Sequence, residues 1–310
     1  YEHKGPKPPS EEALRSRSAL EAIFSDRAPL RTYWIVCANV SKFGALIKEN
    51  DQGQHVLQPN WEAHLRQRER EAEAKGAEPG EVEVGSLDSI TTRRGETRAE
   101  IKTSMTIRLP LDVTPALHKV ISDWEISSTS QFSLDQGLEE FTAKMHTGLG
   151  MEIVLRGVRN DESFHIGQFI YNNENELISD QPTEIPLKAL GTPIIAMTPF
   201  HFRPNIHAQD SWSVTVIDAT TKLGEARLAA WDVKVTGRKS VRLFGRPYDT
   251  FEAVAECDRN KAVAYYSADG QVLKQHVEIE GSLSMTMLLC DDEEGLEPRP
   301  KRFPHRPQGH

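Results

Sequence analysis

Long apolar runs are missing from this 310-residue chain. No stretch of about 18 apolar residues occurs, so no helix of it is built to span a bilayer. A positive excess is missing too, since the formal net charge is −9. Contacts to a phosphate backbone need clustered Lys and Arg, so general nucleic-acid affinity is not expected. Cysteine is scarce: Cys37, Cys257 and Cys290 are the full set. None lies in a C-x-x-C or at metal-ligand spacing with a histidine. An odd number leaves at least one free, or joined to another chain or a lipid. Their plainest reading is as small buried hydrophobes on strands.

Catalytic motifs are also absent. There is no G-x-S-x-G, P-loop or G-x-G-x-x-G. Gly148-Leu149-Gly150 lacks the strand–helix setting that a phosphate cradle needs. His201, His207 and Asp210 are close in sequence, but Pro204 interrupts them, so they read as loop residues and not as metal ligands. His146 and His165 fall on expected strands, as neighbours across a turn. The acidic run Asp291 to Glu294 lacks the Gly-turned loop that calcium needs, and reads as solvated. No residue is assigned a catalytic, cofactor-binding or metal role. The expectation is a protein that is not an enzyme and needs no cofactor.

What is present is a polar chain, 38% apolar and 27% charged, whose polarity concentrates at the ends and in one internal segment. The remainder can still bury a core. Residues 1–28 read as a Pro-rich arm and an amphipathic helix. Ser10 is a good N-cap, and Glu11 and Glu12 sit where the helix dipole favours negative charge. Leu14, Ala19, Ala22 and Ile23 share a face, with Leu20 and Phe24 near it. This helix either packs on the main domain or docks on a partner.

Residues 29–290 read as one antiparallel β-domain. Its opening run, YWIVCANVSKFGALIK from Tyr33 to Lys48, has the alternation and central turn of a hairpin. A charged insertion is expected over 51–95, with a helix after Asn60 that offers only Trp61 and Leu65 as apolar contacts and is therefore largely solvated. Long Thr-, Val- and Ile-rich runs with short connections follow, which favours an antiparallel meander. A Pro-rich, apolar crossover is expected over 181–209, covering one end of the sheet. A second meander runs from Asp210 to Leu289. Its Tyr265-Tyr266 pair puts one ring inside and one outside, and Asp269-Gly270 suits a type I′ turn. Residues 291–310 read as a charged Pro-rich tail. The expected fold is mainly β: a large curved antiparallel sheet, an open or incomplete β-barrel, with an N-terminal helix and a Pro-rich crossover.

The second meander carries a resemblance. Trp212, Val214 and Val216 precede WDVKVTGRKSVRLFGRPYDTFEAVAE, and AVAYYSADGQVLKQHVEIEG follows. This order resembles exported bacterial open or half β-barrel proteins, among them periplasmic lipoprotein-carrier-like β-domains and the β-domains found beside transglutaminase-like enzymes. The Tyr33 to Lys48 run is similar to their opening hairpin. The resemblance implies export to the periplasm or cell envelope. A first residue other than Met (Tyr1) agrees with a removed signal peptide or a late start. It also implies a concave sheet that accepts an apolar ligand, a lipid chain or a protein segment. The long insertion and both tails depart from that family and look like assembly devices. The leading expectation is therefore a non-enzymatic exported interaction or scaffold protein, an accessory subunit of an envelope or membrane-associated complex. Its contacts with other protein chains would fall on Leu14, Phe24, Trp61, Leu65 and Phe303. The alternative is a carrier of lipid or another apolar ligand on the concave face.

Overall fold

The computed structural model describes residues 20, 23–39, 61–108, 123–147, 150–160, 163–186, 200–218, 227–257, 260–279 and 283–290. In chain order the elements are β1 (Arg31–Ala38), the helix α1 (Trp61–Lys75), β2 (Val82–Arg94), β3 (Arg98–Arg108), β4 (Asp123–Ser133), β5 (Gly137–His146), β6 (Glu152–Arg159), β7 (Ser163–Tyr171) and β8 (Leu177–Pro186). They continue with β9 (Ser211–Asp218), β10 (Arg227–Leu243), β11 (Arg246–Cys257), β12 (Asn260–Tyr266), β13 (Val272–Ile279) and β14 (Leu283–Leu289).

All fourteen strands form one sheet, ordered β8-β7-β6-β5-β4-β3-β2-β1-β14-β13-β12-β11-β10-β9. Two meanders meet in the middle, where β1 pairs antiparallel with β14 (Trp34↔Leu289, Val36↔Met287). This is the order of a closed up-and-down barrel, but among the described residues no pairing joins β8 to β9. The expected mainly β, open antiparallel sheet is the fold observed.

The sequence of β8 explains why the seam stays open. Pro182 and Pro186 pair in register with Gly167 and Ser163 of β7. They are four residues apart, so their ring nitrogens point to the same side of the strand. Proline is tolerated in a ladder only where its missing N–H faces away from the partner. The outer edge of β8 thus lacks two donors that a closing β9 would need. Exposed Asp180 and Glu184 add charge to the same strand.

The interior is filled by the chain itself. One continuous apolar cluster takes Phe132, Phe141, Leu155, Phe164 and Ile166 from one arm, and Trp212, Val214, Trp231, Val233 and Tyr266 from the other. Gly157 makes room for the stacked rings of Phe141 and Phe164, whose centroids lie 5.7 Å apart. Phe200 and Ile206, from the described part of the crossover, join the same cluster. Arg203 lies over the Trp212 ring at 4.1 Å, and its N–H donates to the Gly270 carbonyl at 2.9 Å. A Cβ at Gly270 would stand 1.9 Å from the Arg203 carbonyl oxygen, so only glycine lets the crossover seat there. Each large side chain buried this way contributes about 1.5–3 kcal/mol.

The central strands are buried on both faces. Trp34, Val36 and Ala38 join the interior cluster. Cys37, with Ile35 and Leu288, packs instead with Ala72, Ala77 and Leu243. The helix α1 ends as its residues dictate. Gly76 adopts φ 109°, and the Gly76 and Ala77 N–H groups both donate to the Ala72 carbonyl. That is a Schellman-type close. The tip of the β10–β11 hairpin completes it, with the Phe244 N–H donating to the Lys75 carbonyl at 3.1 Å.

Several expectations are corrected. The Tyr33 run does not pair locally: β1 has β2 on one side and β14 on the other, and the return half expected up to Lys48 lies outside the described residues. Residues 82–94, assigned to the charged insertion, are the strand β2 inside the sheet. The charged helix is largely solvated, as expected: Leu65 is buried, Ala72 joins it, and most of its other described residues are exposed. Residues 181–186 belong to β8, not to the crossover. The Ser267–Gln271 turn is not type I′. Gly270 alone has positive φ, and its N–H donates to the Ser267 carbonyl. The type I′ pattern, which needs two positive φ angles, falls instead at Phe244-Gly245. His146 is not beside His165: it pairs with Glu152 and Glu125, whereas His165 pairs with Val158 and Glu184.

Candidate functional site

The expected contact residues scatter. Phe24 is helical and half-buried, packed with Leu20 and Ile23 against the interior cluster. Leu65 is 7% exposed within that cluster. Both are therefore used inside the fold. Trp61 opens α1, but its side chain, together with Leu14 and Phe303, lies outside the described residues. His207 and Asp210 form a closed turn, with the His207 N–H donating to Asp210 Oδ2 at 2.8 Å. Among the described residues no group of three or more His, Cys, Asp or Glu is placed to hold a metal ion.

A polar cluster that sequence reasoning missed lies where the Gly76–Glu81 turn meets the central strands. Register brings it together. His276 of β13 pairs with Thr286 of β14, Thr286 pairs with Cys37 of β1, and Cys37 pairs with Glu83 of β2. Directly paired residues share a face, so these four form a row across four strands. Glu81 sits against that row and is 1% exposed. Its backbone N–H donates to the Glu78 carbonyl, and its Oε2 accepts the Glu78 N–H at 3.1 Å. Its Oε1 makes no hydrogen bond and lies 3.5 Å from His276 Nδ1. The same Nδ1 is 2.8 Å from Thr286 Oγ1.

Burial sets the charges here. It pushes the Glu81 carboxyl up to about 7, against weaker pulls from the Thr286 hydroxyl and the Glu78 N–H. It holds His276 below its ordinary value, although Glu78 and Glu278 oppose this. It pushes the Cys37 thiol up to about 12, with Glu81 and Glu83 adding to the effect. A thiol in that state is not a nucleophile. The cations are engaged elsewhere. Lys274 Nζ lies 2.7 Å from Glu78 Oε1, and Lys75 Nζ lies 2.6 Å from Glu83 Oε2. The network continues outward through Tyr265, which lies beneath both Lys274 and Lys239, to the Lys239–Glu252 pair at 2.6 Å. The arrangement positions a protonatable carboxyl in a sealed place. It offers no open cleft in which a substrate would meet converging acid and base.

Two surface features stand apart. Leu177 and Ile178, at the start of edge strand β8, are 51% and 58% exposed. They stand together at the open seam, where single scattered apolar residues would need no explanation. A depression of about 520 Å³ lies over β4, β5 and β6, lined by Thr129, Gln131, Glu140, Thr142, Arg156 and Val158 among others. It is open to solvent and not an enclosed lumen.

No family model matches the chain. No curated protein matches it either. Among solved structures it is similar to a β-barrel-like protein of a domain of unknown function, DUF1849, from Brucella abortus. That likeness has a TM-score of 0.41 and 9% identity, and covers 84% of this chain and 97% of the other.

Proposed function

We propose that the protein is a non-enzymatic interaction or scaffold protein, an accessory part of an envelope or membrane-associated complex. The observation that carries this reading is the open seam. The strand order is that of a barrel, yet the sheet stops at β8 with two exposed apolar residues, Leu177 and Ile178, at its edge. Leu177 and Ile178 precede Pro182, so this end of the edge keeps its backbone donors beside exposed apolar side chains and can take on another chain. The export part of the proposal rests on the resemblance of the second meander to exported β-barrel-like proteins.

The filled interior weighs against the carrier alternative. A carrier needs an enclosed apolar space, and here the two arms meet through their own side chains. The sealed state of Glu81, His276 and Cys37 weighs against catalysis.

The test compares the wild-type chain with a Leu177→Asp, Ile178→Asp double variant in capture from envelope and membrane fractions. Exposed substitutions of this kind change stability by about 0.5 kcal/mol or less each. The reading expects a defined protein partner for the wild type and its loss in a variant that melts at the same temperature. Equal capture by both, or extraction of a stoichiometric lipid from the wild type, would overturn it.

A further inference from the structure

We propose that Glu81 is a proton-operated latch: with its carboxyl protonated the Gly76–Glu81 turn closes over β1, β13 and β14, and on ionisation the turn lifts and uncovers Cys37. The geometry comes first. The Glu81 carboxyl is buried, and one of its oxygens has no hydrogen-bond partner. A neutral carboxyl carries an O–H, and that oxygen faces His276 Nδ1 at 3.5 Å and the Thr286 hydroxyl beside it, which both accepts and donates. Protonated Glu81 therefore ties the turn to two strands at once. Its other oxygen closes the turn on itself through the Glu78 N–H.

Ionised Glu81 keeps two neutral donors, the Glu78 N–H and the Thr286 hydroxyl, but has no cation of its own. The groups that face it are Glu78 from the turn, Cys37 from β1, and Lys274 and His276 from β13, with the neutral Thr286 from β14; Lys75 of α1 and Glu83 of β2 also act on Cys37, and Glu278 of β13 on His276. The two lysines are already paired, Lys274 with Glu78 and Lys75 with Glu83. A charge on Glu81 is a surplus negative charge between Glu78 and Glu83, in a place that water does not reach. Protonation of His276 would offset it, but burial opposes that step as well. The cheaper outcome is for the turn to move out and hydrate the carboxylate. The turn is bounded by two glycines of positive φ, Gly76 and Gly80. It starts at Gly76, in the left-handed region, and ends at Gly80 and Glu81, directly before β2.

The experiment is hydrogen exchange read by mass spectrometry on the full chain, at pH 5.5, 7 and 8.5, with rates corrected for the intrinsic pH effect. The peptide covering residues 76–81 reports on the latch, and peptides from β1, β6 and β7 serve as the reference, since β1 keeps its ladders to β2 and β14. The expected result is a loss of protection of about tenfold or more in residues 76–81 between pH 5.5 and 8.5, since one pH unit is a tenfold change in an ionisation equilibrium. The reference should not change. Glu81→Gln keeps the shape and the hydrogen bonds of the neutral acid, so it should stay protected at every pH. Unchanged protection in the wild type, or an undiminished pH response in the variant, would overturn the latch. If Glu81→Gln does not fold, the wild-type curve still decides. A midpoint near neutrality supports the latch; a midpoint near pH 4.5 overturns it, and so does a loss of protection on the acid side, which would belong to His276.

Discussion

Gly157 offers a sharp test of the claim that the chain fills its own interior. The glycine lies on β6 between two phenylalanine rings. A Cβ added there would stand 2.1 Å from Phe141 Cε1 and 2.5 Å from Phe164 Cε1. Carbon atoms pack at about 3.5–4.0 Å, so one or both rings must move by more than an ångström. Both rings are buried, 3% and 1% exposed, and are stacked on each other. Overpacking of this kind costs about 1–3 kcal/mol. Replacing glycine also restricts the unfolded chain, which returns about 0.4–1 kcal/mol. Gly157→Ala should therefore destabilise by about 1–2 kcal/mol in equilibrium denaturation followed by tryptophan fluorescence. Phe141→Leu removes ring atoms from the clash. Combined with Gly157→Ala it should cost less than the sum of the two single changes, by about 1 kcal/mol. A neutral Gly157→Ala, or strict additivity of the pair, would mean that the interior has slack at this point. Such an interior would have room for a ligand.

Other outcomes follow from the same physical chemistry. Leu65→Ala should cost about 2–4 kcal/mol, because the residue is buried in the core; a change below about 0.5 kcal/mol would mean that α1 is not anchored to the sheet through this side chain. Gly76→Val should lower the melting temperature clearly, since φ is 109° and the new Cβ would stand 2.6 Å from the Arg242 carbonyl oxygen; an unchanged melting temperature would contradict the described close of α1. The pH dependence has a definite sign. Below pH 4.5 Glu81 holds its proton in both states, and from there to about 7 only the folded chain keeps it. Stability should fall across that window by on the order of 3 kcal/mol in total, and urea titrations of Glu81→Gln should lack this slope. His276, held below its ordinary value in the fold, acts in the opposite direction and removes stability as the pH falls below about 6.5.

The sheet was largely legible from alternation. The strands β3 to β7 and β9 to β14 sit on the runs of Thr, Val, Ile and aromatic residues that announced them. What alternation does not encode is partnership. The run at Tyr33 looked like half of a local hairpin, but its partners come from β2 and from the far end of the chain, and nothing in a strand names its neighbour. Two strands were hidden by composition. In β2 the alternation ends in Thr91, Thr92, Arg93 and Arg94, directly after a charged helix. In β8 the prolines argued against a strand, although an edge strand tolerates them. The polar cluster had no local signal at all. Residues 37, 81, 276 and 286 meet only because β1 and β14 close the two meanders against each other. The exposed pair Leu177-Ile178 became visible only once β8 was known to be an edge.

The most direct measurement of the central claim is site-specific photo-crosslinking from position 178 in the native cell envelope. A photoreactive residue replaces Ile178, and a second version carries it at exposed Glu184 on the same strand. The account predicts one defined protein adduct from position 178 and a weaker one, or none, from 184. A lipid adduct, or no adduct from either position, would contradict it.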